Sequence, residues 1–223
     1  TFEVAQQDDP IFQKYGKTLA DLPEVKLVLI SPHNIDIEYE YEIAFSRHYA
    51  LNHGRRVEME WRDVGGGSSS ILNHLRNVYE SSDRSGVDIV WGGGDFNFER
   101  MGEEGILQPM VLTTEAAENI PPTFGGVRMC DQEGLWCGSA VSGFGIFYNR
   151  NLLSRIGVPE PGRWEDLGES HYFDLIGLAD PSQSGSAAAS YAMIVQSEDT
   201  WQDGWSKLIG ILGNTKKFYA GAG

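Results

Sequence analysis

Short apolar runs alternate with helix-length amphipathic stretches along most of this chain. Val25-Lys-Leu-Val-Leu-Ile30 stops at Ser31-Pro32 and predicts a buried strand. From Asp36 to His53 apolar residues recur at near-helical spacing (Ile43, Phe45, Tyr49), and Gly54 is placed to end a helix. Val57, Met59 and Trp61 alternate with charged residues, as a second strand would. A helix is predicted from Ile71 to Tyr79. Val87-Asp-Ile-Val-Trp91 reads as a third strand, and a helix follows around residues 98–104. This β-loop-α order, with helix-length crossovers, predicts an α/β fold: a mostly parallel sheet with helices on both faces.

The second half is less regular. Residues 1–24 are weakly patterned and read as a short helix or arm, and residues 113–123, with Pro121-Pro122, as a connector. Ser142-Gly-Phe-Gly-Ile-Phe-Tyr148 is strand-like, and residues 149–156 begin a helix that Gly157 and Pro159 end. A short helix opens at Trp164-Glu-Asp-Leu167, a strand spans residues 175–179, and residues 201–212 are amphipathic and helical. No repeat of solenoid period occurs.

Composition narrows the function classes. The 223 residues are 41% hydrophobic and 11% aromatic, enough for one large or two small packed domains. The formal charge of −15 argues against nucleic acid or an anionic membrane as partner. No apolar run approaches the roughly 20 residues needed to span a bilayer. The start, Thr1-Phe-Glu-Val-Ala, has neither the basic nor the apolar region of a signal peptide. The missing initiator Met fits a processed mature protein or a fragment. Cys130 and Cys137 enclose Asp131-Gln-Glu-Gly134, a spacing that fits either a disulfide-stapled hairpin or two buried thiols.

Three strand-then-small-polar-loop units concentrate the candidate chemistry. Ligands in open α/β sheets bind outside the carboxyl ends of the strands, where these loops lie. In Leu178-Ala-Asp-Pro-Ser-Gln-Ser-Gly-Ser186 a strand ends, a polar turn follows, and a helix opens at Ser184, Gly185 and Ser186. Backbone N–H groups left unpaired at such a start, with the helix dipole behind them, can seat an anion or carbonyl. Val64-Gly-Gly-Gly-Ser-Ser-Ser70 offers Gly66, Ser68 and Ser69 to a carboxylate, phosphate or carbonate, or simply caps its helix. Trp91-Gly-Gly-Gly-Asp95 sets an aromatic wall beside Gly92 and Gly93, with Asp95 able to meet a cation or an amine. No Gly-x-Ser-x-Gly elbow, His-Glu-x-x-His or Gly-x-Gly-x-x-Gly occurs, and the five histidines are scattered, so no catalytic residues are assigned.

The stretch from Gly138 to Leu153, then Pro161-Gly-Arg-Trp-Glu-Asp-Leu167, then Ala179-Asp-Pro-Ser-Gln-Ser-Gly185, resembles extracellular solute-binding proteins of ABC transporters. Gly105-Ile-Leu-Gln-Pro109 is similar to that family's Gly-Leu-Leu-x-Pro pattern, and the nearest branch looks like the ferric-iron and small-solute group. The resemblance implies a periplasmic-binding-protein-like (type II) fold of two lobes. Lobe one would be residues 1–139, a hinge strand 140–145, and a partial lobe two 146–223, the chain looking truncated against its family. It further implies an exported, periplasmic or extracellular protein that captures a small oxygen-rich solute in a cleft and passes it to an ABC permease. Ferric iron with an anion, or an organic or inorganic anion, would be that solute, with no required cofactor. His33, beside Asn34, would be a metal ligand, and Trp136 and Ser142 would flank the hinge. The Ser184–Ser186 turn would face the two earlier loops across the cleft. An α/β enzyme of transferase type using the same helix ends, and a ligand-sensing receptor module, are the alternatives.

Overall fold

Alternating β-branched and long aliphatic residues let Glu24–Ile30 (β1) pair on both edges, and the computed structural model, which describes residues 8–221, places it centrally. Arg56–Arg62 (β2) runs parallel to it in register from Glu24 opposite Arg56 to Ile30 opposite Arg62. Ile89–Val90 (β3) pairs parallel with Leu29 and Ile30 on the other edge. Parallel neighbours need crossovers, and the chain supplies Ile35–His53 (α2) and Ser68–Tyr79 (α3). Asn34 caps α2 by accepting from the Ile37 amide at 3.1 Å, and Gly54 ends it in the left-handed region as its position predicts.

The described chain divides into two compact units. The first comprises residues 8–65 and 77–92, and holds the β2-β1-β3 sheet. Pro10–Tyr15 (α1) and a 3₁₀ turn at Leu19–Asp21 precede β1, so the weakly patterned start does carry a short helix; its first seven residues lie outside the described chain. Ile11, Leu22 and Ala50 form a small buried cluster, with Tyr15, Leu19 and Leu51 packed against it.

The second unit comprises residues 66–76 and 93–221. Asp95–Glu103 (α4) opens its long segment. Thr114–Asn119 (α5) then forms where the sequence reads as a connector. Its polarity hides a capped helix: the Thr113 side chain accepts from the Ala116 amide at 3.2 Å, and Ala116-Ala117-Glu118 favours the helical state. Thr123–Phe124 (β4) and Val127–Arg128 (β5) make a hairpin across Gly125-Gly126, whose positive φ values (57° and 83°) suit the tight turn. Cys130 and Cys137 are disulfide-bonded, which resolves the two readings of their spacing.

The strand expected over residues 142–148 does not form. A strand needs a ladder partner, and no described strand pairs with this segment. Val141, Phe144 and Phe147 remain exposed, Phe147 completely. Arg150–Ile156 (α6) follows, then 3₁₀ turns at Trp164–Gly168 and Ser170–Tyr172. Ile176–Ala179 (β6) pairs parallel with Thr215–Tyr219 (β7) through the crossover of Gly185–Gln196 (α7) and Trp201–Gly213 (α8). Leu153, Leu167, Tyr172, Ile176, Ile194, Val195, Leu208 and Ile211 form the core here. Buried Asn214 closes it, donating at 2.8 Å to the carbonyls of Leu167 and Glu169.

Candidate functional site

In the first unit the carboxyl ends of the sheet carry an aromatic cluster. The Trp91 ring lies 4.1 Å from Tyr41, 4.3 Å from His33 and 5.7 Å from Trp61, measured between ring centres. Trp91 is therefore the hub of a wall rather than a lone side chain. Glu42 accepts from the Trp61 indole at 3.4 Å. Burial pushes the nearby Glu38 carboxyl up, and the Asp63 charge adds to the rise. His33 is half-buried, its Nδ1 stands 2.8 Å from Ser31 Oγ, and burial pushes its imidazole down toward the neutral form. Among the described residues no group of three or more His, Cys, Asp or Glu side chains is placed to hold a metal ion. His33 thus has packing partners but no fellow ligands, and Asn34 is spent as the α2 cap.

In the second unit three helix starts converge. Ser68 opens α3, Gly93-Gly94 leads into α4, and Ser184-Gly185 opens α7. The Gly185 amide donates to Ser68 Oγ at 3.0 Å, a bond between residues 117 positions apart with both partners buried. The Ser184 hydroxyl accepts from the Ala187 amide at 3.3 Å and so caps α7. The loops expected to face one another across a cleft are instead in direct contact.

Glycine is what makes that contact feasible. A Cβ on Gly185 would sit 2.5 Å from Ser68 Oγ, 2.6 Å from Asn97 Nδ2 and 3.3 Å from the Gly93 carbonyl. On Gly93, whose φ is 115°, a Cβ would lie 2.7 Å from Ser68 Cβ, and on Gly67 it would lie 2.6 Å from the Gln183 carbonyl. Each backbone passes closer than any side chain allows.

Asn97 is the residue the sequence reading missed. It is 2% exposed, and its Nδ2 is the buried side-chain polar atom without a hydrogen-bond partner among the described residues. A buried polar group is normally paired, so an unpaired one invites an explanation. The available signal was a polar residue between Phe96 and Phe98, in the first helical turn after a glycine triplet.

The other predicted positions scatter. Ser69 is half-buried in the first turn of α3, while Gly66, Asp95 and Ser186 are exposed at the margin of the junction's loops and helices. Asp95 accepts from the Phe96 amide at 2.9 Å. Trp136 is buried in the disulfide hairpin, its ring 6.5 Å from Phe98 and under the Arg128 guanidinium at 5.3 Å. That is a packing role, one residue beyond Asn97. Ser142 is exposed in the irregular segment. A groove of about 300 Å³ lies elsewhere in this unit, lined largely by apolar groups such as Ile146, Leu152 and Leu178, and offers no comparable set of donors.

The junction therefore gathers the Ser68 hydroxyl, the Asn97 amide and the positive ends of three helices, in a chain whose net charge is strongly negative. Such a set suits an anionic oxygen.

Residues 87–222 match the model of the family described as bacterial extracellular solute-binding protein. Over 140 residues, 63% of this chain, the sequence is 35% identical to the phosphoglycerate transport regulatory protein PgtC of Salmonella typhimurium, and equally to that of Salmonella typhi. The matched part is 33% of those relatives' length. Among solved structures, the periplasmic binding protein P5PA aligns with a TM-score of 0.64 at 19% identity, covering 88% of this chain and 58% of that one. AfuA of Actinobacillus pleuropneumoniae, solved with exogenous fructose-6-phosphate bound, aligns at 0.63 and 18%, covering 89% and 57%. At these identities the likeness establishes the fold: α/β, as in periplasmic binding proteins.

Proposed function

The chain belongs to the bacterial extracellular solute-binding protein family, and from that premise we propose that it is part of the substrate-binding component of an ABC transporter. In this reading the protein is exported, captures a small solute outside the cytoplasmic membrane, delivers it to permease subunits and catalyses nothing. The solute is a small organic anion, a phosphate ester or a carboxylate.

The observation that carries this reading is the bond from the Gly185 amide to Ser68 Oγ with the unpartnered Asn97 amide beside it. Relatives lend support: one is named for phosphoglycerate transport, and a structural neighbour holds fructose-6-phosphate. None of these relatives is named for iron, and a phosphate-bearing solute is the reading they favour.

Calorimetric titration of the full-length protein with 3-phosphoglycerate, fructose 6-phosphate, inorganic phosphate and ferric citrate tests the reading. Saturable binding of one of the phosphate-bearing probes, without turnover, is expected. Binding of ferric citrate alone, or hydrolysis of a probe, would contradict it.

A second reading is favoured by one word in the relative's name, "regulatory". The protein would then sense the anion and control transport instead of carrying cargo. Solute uptake in a deletion strain separates the two. Uptake that returns when the permease is expressed from an independent promoter indicates a sensor. Uptake that stays lost indicates a carrier.

A further inference from the structure

We infer that the exposed stripe along the N-terminal half of α2 is a docking surface for a basic amphipathic helix of another protein. The inference stands apart from the anion-binding reading, and its test needs no solute.

Ile35-Asp-Ile-Glu-Tyr-Glu-Tyr-Glu-Ile43 alternates apolar and acidic residues with the period of a strand, yet it lies in the helix Ile35–His53. At 3.6 residues per turn such a run cannot gather its apolar side chains on one face. Ile37 and Tyr41 fall on one side, where Tyr41 meets Trp91. Ile35, Tyr39 and Ile43, spaced four residues apart, form a separate stripe and are 77%, 61% and 43% exposed. The same line continues through Ser46 and Ala50, and there it does meet protein. Ser46 Oγ donates to the Val57 carbonyl at 3.2 Å, and Ala50 is buried. The line is therefore covered toward its C-terminal end and bare toward its N-terminal end.

Charge decides what fits the bare part. Asp36 and Glu40 border the stripe on one side, and Glu38 and Glu42 on the other. Each border is a like-charge pair four residues apart, which weakens a helix. No Lys or Arg occurs from residue 35 to residue 46, and Arg47 is engaged by Asp9 at 3.2 Å. Among the described residues none of these four carboxylates joins an ion pair. The neighbouring charge that acts on Glu38 is that of another carboxylate, Asp63. A partner helix whose apolar face is bordered by Lys or Arg covers the stripe and neutralises both borders. A second copy of this chain, at a formal charge of −15, would set like charge against these borders, as would an anionic bilayer.

Peptide binding to the full-length protein, followed by fluorescence anisotropy, tests the inference. The probe is a labelled amphipathic helix of about 18 residues, with leucine along one face and lysine on both flanks. A scrambled peptide of the same composition is its control. The ordered peptide should bind at least about 10-fold tighter than the scrambled one, and added salt should weaken it. Tyr39→Ser combined with Ile43→Ser should lower its affinity about 10-fold. Asp36→Lys combined with Glu40→Lys should also weaken it, and should favour a peptide with glutamate in place of lysine on one flank.

Equal binding of ordered and scrambled peptides overturns the inference, as does parent-like binding by the serine variant. A melting temperature lowered by more than about 5 °C in the serine variant would mean that the stripe is packed in the full-length protein, and overturns it too. Preference for phosphatidylglycerol vesicles over the peptide would make the surface a membrane contact and equally overturn it. A protein that binds 3-phosphoglycerate but shows no preference for the ordered peptide loses this inference alone.

Discussion

The two units place chemistry at the ends of their elements in opposite ways. In the first, Trp91 closes on His33, Tyr41 and Trp61, so ring faces that could meet a ligand meet one another. Aromatic pairs of this kind make their ring contacts without a guest, although Trp91 stays partly exposed and Tyr41 is 46% exposed. In the second, the backbones of Gly93 and Gly185 approach so closely that no side chain fills the space, and one buried amide is left without a partner. Polar groups held apart from water do not satisfy themselves in this way. On the proposed reading the contrast separates a stabilising cluster from a receptive one, although both stand where the sequence pattern promises ligand contact.

The largest expected effect breaks the close approach itself. Gly93→Ala adds a Cβ 2.7 Å from Ser68 Cβ at a φ of 115°, and should cost about 3 kcal/mol in urea unfolding. Gly94→Ala shares a positive φ of 82° but meets nothing within 4 Å, so it should cost about 1 kcal/mol. Equal costs would mean that the junction is loose.

Next in size is the hairpin behind α4. Replacing Cys130 and Cys137 with alanine should lower stability by about 2.5 kcal/mol, from the entropy of the short loop they close. Trp136, buried in that hairpin against Phe98, should show the loss as a shift in fluorescence.

Trp91→Ala comes third. It should destabilise the protein by about 2 kcal/mol, since the ring is only partly buried, yet change phosphate-ester affinity less than twofold. A large loss of affinity with little loss of stability would make the aromatic wall the receptive region and invert the comparison.

The smallest effects are electrostatic. Glu38 has its carboxyl raised by burial, so its contribution to stability is present at acid pH and fades as pH rises through that raised value. Glu38→Gln should accordingly stabilise the protein slightly at neutral pH and lose that advantage below the ordinary carboxylate range. Asp180, in the turn before α7, behaves in the opposite way. The Ser182 hydroxyl, the Ser182 amide and Gln183 hold its carboxyl down. Its contribution is present above the ordinary carboxylate range and lost as pH falls through the depressed value. The protection factor of the Ser182 amide, exchange being corrected for its intrinsic pH dependence, should fall as the pH is lowered through that range, and an acid-insensitive protection factor would refute the assignment.

The sequence carries the fold better than the site. Periodicity places β1, β2 and α8, which bury residues at regular positions, while α2 is marked by the Gly54 stop although Ala50 alone of it is buried. It misses α5, where a cap rather than an apolar stripe starts the helix, and it draws a strand at residues 142–148 that has no ladder partner. For the site, glycine and serine at loop ends point to Ser68, Gly93, Ser184 and Gly185, which do meet. Spacing cannot show that these loops touch, nor that Asn97 is buried beneath them, since both depend on contacts more than 80 residues apart in the chain. The aromatic wall is equally hidden: His33, Tyr41, Trp61 and Trp91 come from separate elements.

One titration addresses the central claim most directly. Backbone amide resonances of the full-length protein, followed by NMR while 3-phosphoglycerate is added, should shift most at Ser68, Ser69, Gly93, Gly94 and Gly185, together with the side-chain amide of Asn97. Shifts confined to residues around His33, Tyr41, Trp61 and Trp91, with the junction unmoved, would contradict the account.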